Sequence, residues 1–298
     1  MPLRARVALA RARRRLGTPV TFNEKVRYKM LWERRPLLTT FADKLAVREY
    51  VSSRVGPQIL PELHLVTSSP EAVVESELPR EFVVKPSHAS GACVVVAGFA
   101  PPEHELPPTS SGWTETLVRP ERLDRGRLAE LCRHWLARRY GRGQWCYLGV
   151  PRRVLVEELL GDGTRIPLDY KLSVFHGSVR LIQVDSDRFQ CHRRSLYTPS
   201  WERLPGRFQK YELTPDVERP PRLAEMVEIA EALATETDFV RVDLYAIGER
   251  IVFGELTNYP EAGNAPLVPA GFDREVGEWW TPPRRYAASR GVRSRLRL

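Results

Sequence analysis

Lysine is scarce in this chain of 298 residues: of 46 basic side chains only six are Lys and the remaining 40 are Arg. Arg therefore serves wherever either cation would do, and each surviving Lys needs its own explanation. Long apolar runs are missing too. No stretch approaches the roughly 18 residues that cross a bilayer, so membrane insertion is excluded on this count. The N-terminal MPLRARVALARARRRLG carries Arg throughout where a secretory leader would need an uninterrupted apolar segment, which predicts a cytoplasmic protein. Cysteine is limited to Cys93, Cys132, Cys146 and Cys191, with no CxxC spacing and no His at ligand distance. That excludes a zinc site and a disulfide framework, leaving four core or incidental thiols. There is no internal repeat and no heptad array, so no oligomeric state is read from the sequence.

The net charge of +9 concentrates at the two ends, in ARARRRLG and RRYAASRGVRSRLRL. Attraction to an anionic partner is one reading. Solvated Arg-rich ends are the favoured one, because no zinc finger, RNP-type strand or other nucleic-acid module accompanies the charge. No specific nucleic-acid partner is expected.

Most of the chemistry sits in FVRVDLYAIGERIVFGELTNYP, which places Asp243 and Glu255 inside apolar β-sequence. Period-two alternation puts Arg241 and Asp243 on one face of the first strand, and Phe253, Glu255 and Thr257 on one face of the second. Buried unpaired carboxylates cost several kcal/mol, whereas paired hard oxygens suit Mg²⁺ held together with substrate phosphates. For both acids to face one metal, the hairpin must contain an odd number of loop residues or a bulge, with Gly248 supplying flexibility. Three of the six Lys stand in suggestive places: Lys44 in FADKLAVREYV, Lys85 in EFVVKPSHASGACVVV and Lys171 in IPLDYKLSVF. A Lys after an apolar strand and before a small-residue loop is a compact charge for nucleotide phosphates. Surface lysines are the alternative for any one of them alone.

Coarse periodicity predicts a helix over EKVRYKMLWERR capped by Asn23, and another over KLAVREYVSSRV that ends at Gly56-Pro57. Strands EFVVKP and CVVVAGF follow, joined by Ser87 to Gly91, then an exposed Pro/Ser/Thr-rich excursion over 100–120. A helix from Arg122 to Tyr140, a strand RVLVEELL, further strands DYKLSVF and HGSVRLIQVDSDRF, and a helix over PPRLAEMVEIAEALATET complete the pattern. The segment DSDRFQCHRR gathers Asp187, Arg188, His192, Arg193 and Arg194, a candidate carboxylate or triphosphate anchor. A polar loop with local salt bridges is the bland alternative, and for His192 a hydrogen-bonding role ranks above catalysis.

In this order, FNEKVRYKMLW, PLLTTFADKLAVREYV, FVVKPSHASG, IPLDYKLSVFHGSVRLIQVDSDRFQCHRR and DFVRVDLY with FGELTNYP resemble the ATP-grasp superfamily, most closely its TupA-like branch associated with teichuronopeptide synthesis. The blocks span roughly residues 21 to 269. The resemblance implies an α+β ATP-grasp fold, with the nucleotide held between a small lid-like α+β subdomain and a larger antiparallel-sheet α+β domain. The expected divisions are 1–77 helical, 78–160 lid and 161–298 catalytic. It further implies that Lys44, Lys85 and Lys171 serve ATP, the phosphates falling to the first two, and that Ser87, His88, Ser90 and Gly91 close over them. Glu157, Glu158 and Leu160 would form the adenine hinge, and Asp169 would face the ribose. Arg241 and Lys85 would be catalytic, and Asp243, Glu255, Thr257 and Asn258 would hold magnesium. Arg188, His192, Arg193, Arg194 and Asn264 would meet substrate. The implied activity is ATP-dependent joining of a small-molecule carboxylate to an amine through an acyl phosphate. D-alanine:D-alanine ligases follow this Glu with x-Asn-Thr-x-Pro-Gly; here Leu256-Thr257-Asn258-Tyr259-Pro260 follows, so Thr257 takes the Asn position. Where the TupA-like branch carries glycines after Pro, this chain has Glu261-Ala262-Gly263-Asn264. A phosphotransferase acting on a hydroxyl, and a non-catalytic or carbohydrate-binding protein using Trp279-Trp280, remain alternatives.

Overall fold

The computed structural model describes residues 18–141, 143–284 and 286; the Arg-rich N-terminal end and all of the C-terminal one but Arg284 and Tyr286 lie outside them. Helix α1 (Phe22–Trp32) is started by Thr21 rather than Asn23: the Thr21 hydroxyl accepts from Glu24 N and the Glu24 carboxylate accepts from Thr21 N, a reciprocal capping box. Asn23 instead sits in the first turn and donates its amide to Ala265 O at 2.9 Å. The buried face of α1 carries Phe22, Val26 and, fully buried, Lys29. Lys29 is matched by Glu33 at 2.5 Å and Asp238 at 2.8 Å. Helices α2 (Leu37–Ala42) and α3 (Ala46–Val55) follow, and Gly56, at φ +90°, ends α3.

The first sheet contains β1 (Leu63–Thr67), β2 (Phe82–Pro86), β3 (Cys93–Val96), β4 (Glu115–Val118) and β5 (Val154–Glu158), in the order β1-β5-β2-β3-β4. Between them lie the short α4 (Ala72–Glu75) and α5 (Arg125–Ala137), the latter capped by Asp124. Alternation decides the faces. Phe82, Val84, Val94, Val96, Val118 and Val156 pack against Leu128, Leu131, Cys132 and Trp135 of α5. Their neighbours Val83, Lys85, Cys93, Val95 and Glu157 point the other way. The excursion over 100–120 is not wholly exposed: Leu106, Leu117 and Val118 are buried, and β4 pairs in parallel with β3.

The second sheet is antiparallel, with order β11-β10-β6-β7-β8. Its strands are β6 (Asp169–Phe175), β7 (Ser178–Ser186), β8 (Arg193–Tyr197), β10 (Phe239–Ile247) and β11 (Arg250–Thr257). Helix α6 (Leu223–Leu233) precedes β10; α7 (Phe272–Glu278) and the two-residue strands β9 (Arg207–Phe208) and β12 (Leu267–Val268) complete the fold. One face, with Tyr170, Leu172, Val174, Ile182, Val184, Val242 and Leu244, is covered by α6 and α3. On the other face Phe175, Leu181, Leu196 and Phe239 form an apolar end against Phe22, Val26 and Trp280. Toward the opposite end this face turns polar, with Asp169, Lys171, Asp185, Arg194, Arg241 and Asp243 all buried. Trp280 is fully buried and stacks on Phe239, so it offers no surface to a sugar. Among the described residues no helix is long and apolar enough to cross a membrane.

Candidate active site

Polar rows from the two sheets face each other across a cleft of about 1160 Å³, counted with its open mouth. The first sheet contributes Val83 and Lys85 from β2, Cys93 and Val95 from β3, Glu115 from β4, and Glu157 and Glu158 from β5. The second contributes Asp169, Asp185, Asp243, Tyr245 and Glu255, while Lys44 enters from the turn before α3 and Leu160 from the connection after β5. Val83, Val95, Leu159, Leu160, Ile166 and Phe189 give one end an apolar lining. Lys85 Nζ lies 2.5 Å from Glu157 Oε2. Lys44 Nζ donates to Ala89 O at 2.6 Å and lies 3.8 Å from Glu255 Oε2.

Asp243 and Glu255 are direct cross-strand partners, and a bulge makes them so. Ile247 pairs with Arg250, leaving the two-residue loop Gly248-Glu249, an even number. Asp243 then pairs with Glu255 but Leu244 with Phe253, so Gly254 is the extra residue. The bulge therefore lies at Gly254 and not at Gly248. It also overturns the strict alternation of β11: Phe253 pairs with Leu244 and is buried in the core, reaching only the border of the cleft.

Arg241, two residues before Asp243 and on its face, clamps it with two hydrogen bonds of 2.7 Å. It also reaches Glu255 Oε1 at 3.3 Å and Thr257 Oγ1 at 3.0 Å. Lys171 donates to Asp243 Oδ2 at 2.8 Å and to Asp169 Oδ2. Burial pushes the Glu255 carboxyl up, but Lys44, Arg241 and Lys171 outweigh it and hold the group at about 2. For Asp169 burial prevails and its carboxyl lies above the usual range, with the Asp243 charge adding to the effect. Burial likewise lowers the Lys44 ammonium.

Among the described residues no three His, Cys, Asp or Glu side chains form a metal cage. The donors fit magnesium in its sparser mode, one or two carboxylates completed by phosphates and water. Asp243 Oδ1 accepts only from Arg241 Nε, Glu255 keeps a partly exposed carboxylate, and Asp169 Oδ1 is buried without a hydrogen-bond partner.

Other sequence-predicted residues divide. Ser90 and Gly91 line the cleft, but the stem of their loop is pinned. The Ser87 hydroxyl donates to Pro151 O, and His88 Nε2 lies 3.2 Å from Trp135 O at the end of α5. Glu158 is held by Arg250 and by the backbone N–H of Glu62. Thr257 bridges Arg241 and Glu255, whereas Asn258 is buried and donates to Leu38 O, turned away from the acids. Arg188 grips Glu115 with two nitrogens and comes within 3.5 Å of Asp169 Oδ2, tying the two sheets together at the cleft. Arg194 is not a free anchor: its buried guanidinium binds both oxygens of Asp185 and reaches Glu261 at 3.0 Å. Although burial opposes it, contact with His192, Lys171 and Arg194 holds Asp185 far below the carboxylate range. His192 lies 3.2 Å from Asp185 and against the Tyr211 ring; Arg193 is 3.9 Å from Glu212, and Asn264 is exposed. Sequence reading missed Glu115, Asp185 and Tyr245 as cleft residues; for Asp185 and Tyr245 the signal was available, since both alternate in phase with strand residues already singled out.

Residues 135–281 match the family described as TupA-like ATPgrasp. No curated protein matches the sequence. Similar solved structures include D-alanine–D-alanine ligase from Bacillus anthracis, at 12% identity and TM-score 0.38 over 74% of this chain and 58% of that one. ATP-grasp ligase PsnB with its minimal precursor gives 12% identity and 0.39 over 80% and 62%. L-amino acid ligase from Bacillus licheniformis gives 14% and 0.43 over 78% and 46%. The chain thus spans about half to three fifths of the length of these proteins, and likenesses this loose carry no chemistry. The family match bears out the resemblance read from the sequence, and two sheets closing on one cleft are the ATP-grasp fold.

Proposed function

For a chain whose residues 135–281 belong to the TupA-like ATP-grasp family, we propose the function of an ATP-dependent carboxylate–amine ligase acting on small molecules in cell-surface polymer or natural-product biosynthesis. One observation carries the reading: Lys44 and Lys85 enter the same cleft as the cross-strand acids Asp243 and Glu255, with Lys44 only 3.8 Å from Glu255. Compact cations facing paired carboxylates suit a polyphosphate that arrives with a divalent ion.

In this reading the adenine lies against the apolar end near Leu160, with the backbone after Glu158 as its hinge, and Asp169 Oδ1 accepts from a ribose hydroxyl. Lys44, Lys85 and the Ser90-Gly91 turn hold the phosphates. A magnesium ion, held by Glu255 and the free side of Asp243, would neutralise phosphate charge. The substrate carboxylate attacks the γ-phosphorus, and the bridging oxygen leaves with ADP. The amine then attacks the acyl carbon, phosphate departs with the bonding pair, and the amine's proton passes to solvent. Arg241, with its Nη2 shared among Asp243, Glu255 and Thr257, is placed to steady the oxyanion of that second step.

The test is ADP release with a panel of amino acids and acidic sugars, followed by mass measurement of the product. Lys85→Ala and Glu255→Ala should each abolish ADP release, since removal of one such group costs about a hundredfold or more, while circular dichroism stays unchanged. Full activity in either folded variant refutes the assignment. Recovery of the γ-phosphate in a stable product would mean phosphotransfer instead of ligation.

A further inference from the structure

Lys171 lies on the polar face but, like Arg194 and Arg241, does not line the cleft. It stands in the middle of β6, with Asp243 of β10 on one side and Gln183 of β7 on the other. It is buried to 95% and bonded to two carboxylates, Asp169 Oδ2 and Asp243 Oδ2. Its burial, and its absence from the cleft lining, keep it from a phosphate bound there. The two acids it holds differ in their remaining capacity. Asp169, which lines the cleft, keeps Oδ1 buried and without a hydrogen-bond partner. Asp243 has Oδ2 filled by Lys171 and Arg241 Nη2, and Oδ1 filled only by Arg241 Nε. A carboxylate has about four acceptor directions. Three of those on Asp243 are fixed, so a cation has one line of approach.

Resting on the ligase reading, we propose that Lys171 is a positioning residue rather than a phosphate ligand: one ammonium orients both the oxygen that meets the nucleotide sugar and the carboxylate that meets the metal. Arg241 cannot replace it, because Arg241 touches Asp243 but makes no bond to Asp169 among the described contacts. Without Lys171, Asp169 keeps only Arg188 at 3.5 Å and Asp243 is held from the Arg241 side alone, so that sugar recognition and metal binding loosen together.

The experiment is calorimetry of wild type, Lys171→Met and Lys171→Arg with the non-hydrolysable ATP analogue AMPPNP, across a Mg²⁺ series and in EDTA. ADP and 2′-deoxyADP are compared at saturating Mg²⁺. Lys171→Met should raise the half-saturating Mg²⁺ by about tenfold or more, the usual effect of losing a group that orients a metal ligand. It should also erase the preference for ADP over 2′-deoxyADP and leave affinity in EDTA little changed, while Lys171→Arg, which keeps the charge but not the compact shape, should recover only part of both losses. A loss of AMPPNP affinity of equal size with and without Mg²⁺ would put Lys171 on the phosphates and overturn the proposal, as would no change in either measurement. If Lys171→Met does not fold, Lys171→Met with Asp169→Asn removes the unpaired charge and must show the same Mg²⁺ shift. Wild type that binds no nucleotide defeats the ligase reading itself, a result distinct from a variant that behaves like wild type.

Discussion

Replacing Gly254 by Val tests whether the bulge in β11 is what brings two separated acids together as the proposed magnesium ligands. A Cβ at Gly254 would stand 3.1 Å from Asp243 O, 3.1 Å from Tyr245 Cε2 and 3.5 Å from Asp243 C. The Tyr245 ring can yield a few tenths of an ångström, but the Asp243 carbonyl belongs to the sheet backbone and cannot. Val adds two further methyl groups to that contact, an overpacking cost of about 1–3 kcal/mol. At about 2–4 °C per kcal/mol, Tm should fall by about 2–12 °C. Binding suffers more than folding. Pushing the Asp243 backbone away from Glu255 by a fraction of an ångström separates the acids directly, and misplacement of about 1 Å costs on the order of a hundredfold in such sites. Calorimetry with AMPPNP and Mg²⁺ should therefore show at least a tenfold weaker complex, while affinity in EDTA holds. Gly248→Ala, with no atom within 4 Å of its Cβ, should leave Mg²⁺ dependence untouched and cost only the strain of its φ of +55°. Wild-type Mg²⁺-dependent affinity in folded Gly254→Val would refute the link between bulge and site.

Two further outcomes follow from the titration of cleft groups. Glu255 is held at about 2 against an unfolded value of about 4.3, so its contribution to stability is complete above the unfolded value and is lost as pH falls through the folded one. The stability gap between wild type and Glu255→Gln in urea titrations should therefore be constant from pH 7 to about pH 5 and close only below about pH 4; a gap that vanishes by pH 6 contradicts the assignment. Burial pushes the Cys93 thiol up to about 12 although it lines the cleft. Iodoacetamide at pH 8 should label the exposed Cys191 first, and Mg²⁺–nucleotide should slow Cys93 further, both read by mass spectrometry; nucleotide-independent labelling of Cys93 would remove the ligand from that part of the cleft.

What the sequence made legible was periodic and local. Phe82, Val84 and Lys85 separate into core and cleft by alternation alone, and Arg241 and Asp243 share a face for the same reason. The parity of the hairpin required either an odd loop or a bulge, with Gly248 as the flexible point, and only the pairing of Asp243 with Glu255 and Leu244 with Phe253 places the extra residue at Gly254. Strand β4 stayed hidden because four residues after a Pro-rich stretch show no period, and its partner β3 lies some twenty residues upstream, beyond any local signal. Arg194 read as a free cation because its satisfaction is entirely non-local: Asp185 is its partner across the β7–β8 pair, and Glu261 comes from the turn after β11. Asn258 fails as a ligand through the same kind of contact, a bond to Leu38 O at the far end of the chain.

The charge of the cleft wall opposes that of the chain. Its lining holds eight carboxylates, Glu115, Glu157, Glu158, Asp169, Asp185, Asp187, Asp243 and Glu255, against the three cations Lys44, Lys85 and Arg188. General basicity of a chain at +9 therefore does not draw a triphosphate into this space. In the proposed ligase reading, placed ammonium groups and an accompanying divalent ion do so. This returns to the scarcity of Lys. Lys25 bonds the carbonyls of Gly277 and Trp280, Lys29 is sealed between Glu33 and Asp238, Lys171 between Asp169 and Asp243, and Lys44 and Lys85 enter the cleft. Five of the six lysines thus occupy places where a compact ammonium meets two or more oxygens from different directions, or where it lines the cleft proposed to hold a phosphate. The planar guanidinium fork, which demands coplanar partners, does not satisfy those places. An Arg-rich chain has kept Lys where its shape is required, and three of the five are at the site.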